Sequence, residues 1–471
     1  MENSRRDFLK KVSLLSGVTA SLPLLGSAAI IDQGFNMSGY RAPKIDKVKV
    51  AFVGLGNRGK AAVSRFLYIE DVEIVALCDK YADRVSSQQK KVTDAGGKKP
   101  RSYSGEDGWE NMLKEVKIDL VYICTPWRLH APMSIASMKA GAHVGCEVPI
   151  ALNLKDLWEL VHTSEATRKH CMMLENCCYD FFELLTLNMV QKGVFGELVH
   201  AEGAYIHDLI DYNFSKTVLT DFWRLKENIR IHGNMYPTHG IGPVAQCMNI
   251  NRGDRMKSLF NMESDDFIMD AKARELAATD SEYQPFAGKK YRGNMNTTLI
   301  RTAKGKTIMI QHDVSSPRPY SRLHTLSGTI GFAQKYPVEG MAFKNYKNGH
   351  EFLPKTELEK LEKEYAPEIV RFIGEQARKV GGHGGMDFMM DWRLVDCLRN
   401  GLPMDQDVYD AAAWSAIIPM SMESAEYNRM VSFPDFTRGN WISNTPVNLS
   451  LEGAGNTRIR AIKGSSDQLD V

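Results

Sequence analysis

No stretch limits what this chain can fold into more than residues 48–79. It opens on an apolar run, Val48-Lys49-Val50-Ala51-Phe52-Val53, and passes through Gly54-Leu55-Gly56-Asn57-Arg58-Gly59 into an alanine-rich helical segment. A second apolar run, Glu73 to Cys78, is closed by Asp79. In such a strand–turn–helix–strand unit each glycine has its own task. Gly54 makes the tight turn, Gly56 lets a pyrophosphate approach the backbone, and Gly59 lets the helix pack on the strand. The free N–H groups and positive dipole end of the helix face the phosphates. Asp79 follows at the end of the second strand, about 20 residues on, where a carboxylate accepts from a ribose 2′-hydroxyl and repels a 2′-phosphate. A chance glycine loop would lack these flanks. The chain is expected to bind a dinucleotide, NAD rather than its 2′-phosphorylated form.

The alternation continues. Helical spacing is read at 81–93, 109–116, 132–140 and, behind the cap Asn153, at 153–169, with strands at 119–124, 143–146 and 171–175 and a loop between 94 and 108. Strands alternating with helices predict a doubly wound parallel sheet, whose ligands sit outside the carboxyl ends of the strands. Those ends are the Gly54–Gly59 turn, Asp79, residues 125–130, Glu147-Val148 and Asn176. After a helix at 181–192 the pattern changes at Gly193-Val194-Phe195-Gly196. Strands are then read at 197–207, 257–265, 294–302, 307–313 and 322–332, with Ala303-Lys304-Gly305-Lys306 as a hairpin turn, followed by helices at 356–380, 386–400 and 408–428. The fold class is a Rossmann domain followed by an open, mostly antiparallel sheet domain with helices on one face.

Several residues carry two readings. Arg58 inside the turn can assist a phosphate contact or stay a solvated loop arginine. Trp127, directly after Pro126, can stack on a ligand ring or lid the core. Tyr205 and His207 share one sheet face by the period of two, a face open to ligand or to solvent. His239 opens an apolar helix just after Pro237, where a side chain is aimed at a site, and is read as an acid–base residue; His232 is read as structural.

The ends are read apart from the fold. Ser4-Arg5-Arg6-Asp7-Phe8-Leu9-Lys10 precedes a mildly apolar stretch to Ile31, the pattern of a twin-arginine export signal, with cleavage near Gly26-Ser27-Ala28-Ala29. Polar and small residues and Pro23 interrupt the run, which disfavours a membrane anchor, and no cysteine precedes Cys78 to carry a lipid. The expected divisions are a signal peptide at 1–31, a linker at 32–46, the NAD domain at 47–176, a substrate domain at 177–436 whose last helices pack back on the first, and a tail at 437–471. A net charge of +2 over 471 residues gives no reason to expect nucleic acid, and the eight cysteines show no zinc spacing, so no metal is expected. A nucleotide-binding enzyme exported to the periplasm meets no nicotinamide pool. It is expected to carry NAD tightly, one per chain, and to regenerate it within each turnover.

Taken together, the Rossmann unit, a strand ending in Glu147-x-Pro149, the Gly-Val-Phe-Gly entry and the Gly381-Gly-x-Gly-Gly-Met-Asp387 helix start resemble the glucose–fructose oxidoreductase and inositol dehydrogenase-like family over roughly residues 48–436. Its dehydrogenases carry lysine between that Glu and Pro to polarise the reacting hydroxyl; Val148 cannot. Thr125-Pro126-Trp127-x-x-His130, Glu147-Val148-Pro149, Glu175-Asn176, Asp221-Phe-Trp-Arg224 and Gly233-Asn-Met-Tyr236-Pro237-Thr238-His239-Gly240 resemble a narrower group, glycoside hydrolase family 109, whose members are NAD-dependent α-N-acetylgalactosaminidases. The resemblance implies NAD contacts from Asn57, Arg58, Asp79, Trp127, Arg128, Leu129, His130, Glu147, Val148 and Asn176. It implies sugar contacts from Tyr205, His207, Tyr236, Pro237, Thr238, His239 and Tyr320, with Arg224 near cofactor or substrate. It further implies a glycan partner ending in α-N-acetylgalactosamine, cleaved by oxidation at carbon 3, elimination, water addition and reduction, with His239 as base and Tyr236 or Tyr205 as candidates for the second. A net sugar oxidoreductase of the wider family is the alternative, and pairing of the open sheet into a homodimer fits related folds.

Overall fold

The apolar run at residues 48–53 forms a strand, β1 (Val48–Val53), buried along nearly its whole length. The structure, a computed structural model, describes residues 34–460, so the segment around Arg5-Arg6 and its cleavage region lie outside the described residues. Five more strands follow: β2 (Val72–Asp79), β3 (Arg101–Ser104), β4 (Leu120–Ile123), β5 (His143–Cys146) and β6 (Cys171–Met173). They pair in parallel in the order β3-β2-β1-β4-β5-β6. Helices cover both faces, which is why β4, β5 and β6 read as unbroken apolar runs. The chain leaves β1 in one direction and later returns to its other side with β4, and at this switch point a parallel sheet opens a crevice for ligand. β3 falls in the segment expected as a loop. Apart from half-buried Tyr103 its residues are exposed, so it carries no apolar signal.

A second, eight-stranded sheet has the order β13-β12-β11-β7-β10-β9-β8-β14. Its strands are β7 (Leu198–Ile206), β8 (Met256–Glu263), β9 (Asn296–Thr302), β10 (Thr307–Asp313), β11 (Thr325–Gly328), β12 (Gly331–Gln334), β13 (Gly340–Phe343) and β14 (Val431–Ser432). All neighbours are antiparallel except β7 and β10. The single strand expected at 322–332 is two, turning back at Thr329-Ile330 so that Thr325 pairs with Gln334 and Ser327 with Phe332. Gly328 allows the turn, since a Cβ there would lie 2.1 Å from the Phe195 carbonyl oxygen. The helix expected at 356–380 is also two, Lys355–Tyr365 and Glu368–Val380. Pro367 between them lacks an N–H and forces Ala366 out of helical geometry.

The helix Thr238–Cys247 lies directly on β7. A Cβ on Gly203 would sit 2.2 Å from the Gly240 carbonyl oxygen, and one on Gly240 2.6 Å from the Ala204 nitrogen. The two glycines let backbone touch backbone and bring His239 over the strand that carries Tyr205. Two helices absent from the sequence reading, Trp223–Arg230 and Met269–Ala277, build a lobe with its own apolar cluster, including Phe214, Leu225, Met269, Tyr283 and Phe286, separate from the main core.

The late helix Met386–Asn400 returns to the Rossmann domain. Asp391 accepts from Arg65 Nε at 2.6 Å and from the Tyr122 hydroxyl at 2.7 Å. Residues 34–46, expected as a linker, are held by Met37 N–H to the Tyr409 hydroxyl and Ile45 N–H to the Leu398 carbonyl. The described part of the tail is held as well, by Thr457 Oγ1 to Asp396 at 2.7 Å and Trp392 Nε1 to the Thr457 carbonyl at 2.9 Å. Among the described residues no helix is long and apolar enough to cross a membrane.

Candidate active site

At the glycine turn the three glycines differ in what surrounds them. A Cβ on Gly54, whose φ is +85°, would meet the Cys124 carbonyl oxygen at 2.6 Å, and one on Gly59 would meet the Gly54 carbonyl oxygen at 1.8 Å. A Cβ on Gly56 would meet nothing closer than an Arg84 nitrogen at 3.7 Å. The outer two glycines serve packing, and the middle one faces open space at the N-terminus of the helix Asn57–Phe66, which no side chain caps. Asp79 accepts from the Leu55 N–H at 2.6 Å and the Tyr81 N–H at 2.9 Å, fixing the carboxylate at the mouth of this cradle. The cradle and acid fit the pyrophosphate and ribose of NAD.

Arg58 turns into the cleft instead of outward. Its Nε lies 2.8 Å from Glu147 Oε1, and its Nη1 lies 2.9 Å from Asp387 Oδ2. Asp387, fully buried, also accepts from Asn176 Nδ2 at 2.6 Å and faces His383 Nδ1 at 3.0 Å. Burial alone would raise this carboxyl, but the guanidinium of Arg58, with His383 and Arg65, holds it well below the usual carboxylate range. The strand-end residues Glu147 and Asn176 are thus joined to the last helices through one aspartate. His130 has each ring nitrogen 2.7 Å from a carbonyl oxygen, of Pro149 and of Thr125, and pins the two turns together. Val148 adds an apolar wall and Leu129 a half-open one. Arg128 leaves the cavity wall for Glu227, which it meets with two hydrogen bonds at 2.7 and 2.8 Å. On the far side, the exposed Asp221 accepts from the Tyr81 hydroxyl at 3.2 Å. These contacts tie the lobe to the Rossmann domain across the cleft.

The second half of the site is aromatic. Trp127 is buried, stacked on Tyr236 with centroids 5.5 Å apart and edge-on to Trp223 at 5.2 Å. Tyr205 meets Tyr236 at 5.0 Å and His239 at 5.1 Å, and Tyr236 stands edge-on to His239 at 4.9 Å. His239 Nδ1 lies 2.7 Å from Glu175 Oε1, a carboxylate with 0% exposure that also accepts from the Cys177 N–H. Burial would raise the Glu175 carboxyl; the His239 ring and these hydrogen bonds outweigh it and bring it below the ordinary value. A carboxylate at Nδ1 selects the tautomer that leaves Nε2 as the acceptor. The Tyr205 hydroxyl lies 3.1 Å from His207 Nδ1. Glu175, Cys177 and His239 bring donor atoms within 4.8 Å of one another, but burial pushes the Cys177 thiol well up and the Glu175–His239 hydrogen bond engages the other two.

One cavity of about 840 Å³ is lined by the glycine turn, Asp79, Trp127, Leu129, His130, Glu147, Val148, Asn176, Tyr205, His207, Arg224, Tyr236 and His239 together. Pro237 and Thr238 are buried beneath Tyr236 and His239 and do not line it. Tyr320 stands at the edge, 5.0 Å from the His207 ring, with its hydroxyl accepting from Arg322 Nη1 at 3.2 Å. Sequence reasoning assigned no role to Glu175, Asp387, His383 or Glu227. The first two stood within quoted motifs, at a strand end and a helix start, where buried carboxylates could have been suspected.

Residues 48–175 match the family model described as oxidoreductase family, NAD-binding Rossmann fold, and residues 179–443 match glycosyl hydrolase 109, C-terminal domain. Glycosyl hydrolase family 109 protein 4 of Phocaeicola vulgatus is 48% identical over 421 residues, covering 86% of this chain and 80% of that protein. The alpha-N-acetylgalactosaminidase of Bacteroides fragilis is 49% identical over 408 residues, covering 86% and 95%. Among solved structures, a levoglucosan dehydrogenase in complex with NADH and levoglucosan has a TM-score of 0.62 at 17% identity, covering 83% of this chain and all of that one. A scyllo-inositol dehydrogenase from Lactobacillus casei reaches 0.58 at 13% identity, covering 82% and 99%. The solved structures show the fold alone; the two relatives and the C-terminal family model show the family. The chain belongs to glycosyl hydrolase family 109.

Proposed function

We propose that this chain hydrolyses terminal α-N-acetylgalactosaminides with NAD as a resident, recycled cofactor. The observation that carries the reading is the buried Glu175–His239 pair, at 2.7 Å, opening into the same cavity as the dinucleotide cradle, where Val148 offers no proton or charge. NAD bound by the glycine turn and Asp79 supplies hydride acceptance and return at sugar carbon 3. The side chains do the rest. His239 Nε2 takes the carbon-3 hydroxyl proton while Glu175 stabilises the charge left on the ring. The resulting ketone acidifies the carbon-2 proton. Tyr205 is the better candidate for receiving it, because its hydroxyl can pass its own proton to His207 Nδ1, 3.1 Å away, as it takes the one from carbon 2. Loss of that proton expels the glycosidic oxygen, and water adds to carbon 1 before carbon 3 is reduced again.

The test is the purified chain with an aryl α-N-acetylgalactosaminide and no added acceptor. Phenol release with NAD retained in the protein supports the reading. Accumulating NADH without released phenol favours a net sugar oxidoreductase instead. His239→Ala should abolish turnover while NAD stays bound.

NAD binds tightly, one per chain, beneath the Arg128–Glu227 and Tyr81–Asp221 contacts; the NAD content of purified protein measures this. Arg5-Arg6 directs export by the twin-arginine machinery to the periplasm without a retained anchor, which N-terminal sequencing of the exported chain tests. The outer face of the second sheet, where Met262 and Leu299 are 64% and 52% exposed, pairs two copies, and sedimentation of the full chain checks it.

A further inference from the structure

Arg224 opens the helix Trp223–Arg230 as its second residue and is about nine-tenths buried. Its guanidinium lies 5.1 Å from the Trp127 ring and 5.0 Å from the Tyr236 ring, on the cavity wall. Its Nε and Nη2 are buried and have no hydrogen-bond partner among the described residues. A buried cation with open donors is costly, and proteins keep one where an oxygen is to receive it. The nearby cation Arg58 is different: Glu147 and Asp387 already neutralise it at 2.7 and 2.9 Å. The strand-end position that would carry a lysine in the wider family holds Val148, which has no charge to offer.

We propose that Arg224 stabilises the negative charge on the carbon-3 oxygen during elimination, a task that rests on the oxidation–elimination reading above. When the carbon-2 proton leaves for a site base, the C–H electron pair becomes the carbon 2–carbon 3 π bond. The carbonyl π pair moves onto oxygen as an enolate. As the enolate collapses, the carbonyl re-forms, carbon 1 and carbon 2 become doubly bonded, and the carbon 1–oxygen pair departs with the aglycone, which takes a proton. Charge exists on the carbon-3 oxygen only between these events. A preorganised, buried guanidinium with two free N–H directions acts on that state more than on the neutral ketone or the alcohol. His239 acts on the hydroxyl proton, and Arg224 on the oxygen after that proton has gone.

The test uses the full NAD-loaded chain, as wild type, Arg224→Gln and Arg224→Lys, with an aryl α-N-acetylgalactosaminide deuterated at carbon 2 or at carbon 3. Arg224→Gln should lower kcat by about 10²–10³-fold with a much smaller change in KM. The carbon-2 isotope effect should grow, the carbon-3 effect should shrink, and the absorbance of bound reduced nicotinamide should build up. Arg224→Lys should recover at least about tenfold of the loss, since a point charge replaces part of the fork. NAD content and the unfolding midpoint of the lysine variant keep the comparison meaningful if the glutamine variant folds poorly. Washout of deuterium from carbon 2 into solvent reads the enolate without aglycone departure. Slower washout in Arg224→Gln supports the role even if wild type releases no phenol, in which case the glycosidase reading alone falls. Wild-type washout in Arg224→Gln, a loss confined to KM, or a lysine variant no better than glutamine overturns the proposal.

Discussion

Replacing Glu175 by glutamine preserves the shape beside His239 and removes its charge. The carboxylate is fully buried, so solvent does not screen it, and Oε1 lies 2.7 Å from Nδ1. With charge centres about 4 Å apart and an effective dielectric near 20, the attraction between carboxylate and protonated ring is on the order of 4 kcal/mol. Glutamine keeps a neutral hydrogen bond worth about 1 kcal/mol, which leaves roughly 3 kcal/mol of lost stabilisation when His239 takes up a proton. At about 1.4 kcal/mol per power of ten, kcat should fall roughly a hundredfold. The amide adds a second effect in the same direction. If its NH2 faces the ring, it favours the tautomer with the proton on Nε2, which cannot then accept another. Steady-state phenol release by Glu175→Gln, with NAD quantified in the denatured protein, measures this. NAD content should not change, because Glu175 touches neither the glycine turn nor Asp79. A kcat within about threefold of wild type would refute the charge argument.

Other perturbations separate binding from folding. Gly56→Ala should leave the unfolding midpoint near wild type, because its Cβ meets nothing closer than 3.7 Å, yet weaken NAD binding at least about tenfold; Gly59→Ala, with a Cβ 1.8 Å from a carbonyl oxygen, should lower the midpoint itself. Equal midpoints for the two variants would contradict this assignment. Asp221→Ala combined with Arg128→Ala removes two partly exposed contacts between lobe and Rossmann domain, each worth up to about 1 kcal/mol, and should speed release of NADH roughly tenfold in a fluorescence chase. An unchanged release rate would mean that the lobe does not retain the cofactor. Asp387 and Asp180 are held below the usual carboxylate range because Arg58 and Arg322 respectively outweigh their burial. Both stay charged in the fold at pH values where the unfolded chain takes up protons, so their stabilisation is full above about pH 5 and is lost as pH falls below about 4. The urea midpoint should fall progressively from about pH 4 downward, toward the depressed values of the folded carboxyls; a flat profile counts against the clamp.

Periodicity carried most of the Rossmann domain and the central strands of the second sheet. It failed where the signal was absent or continuous. β3 is too exposed to show an apolar run, and residues 322–332 read as one strand although Gly328 and Gly331 flank the turn at Thr329-Ile330 and could have marked it. Pro367 was a visible breaker inside an otherwise strong helical pattern, and the structure follows the proline. In the site, His239 could be singled out by its place after Pro237, but its partner could not: Glu175 lies 64 residues away, and Asp387 lies 329 residues from Arg58. Residue types were legible, while pairings across the cleft were not. Arg58 shows this. A position inside a phosphate turn suggests a phosphate contact, and only the fold reveals two carboxylates on the other side.

The one parallel pairing in the second sheet has a consequence for how the chain is made. β7, the strand of Tyr205, sits between β11 and β10, and His200 finds its neighbour Thr307 only 107 residues later. β7 has no neighbouring strand until synthesis has passed residue 307, so this half of the site depends on long-range closure, the slow kind of folding. The six-stranded sheet has its strands together by Met173. A nucleotide that grips this sheet early favours the structured form by mass action while the aromatic half is still being assembled.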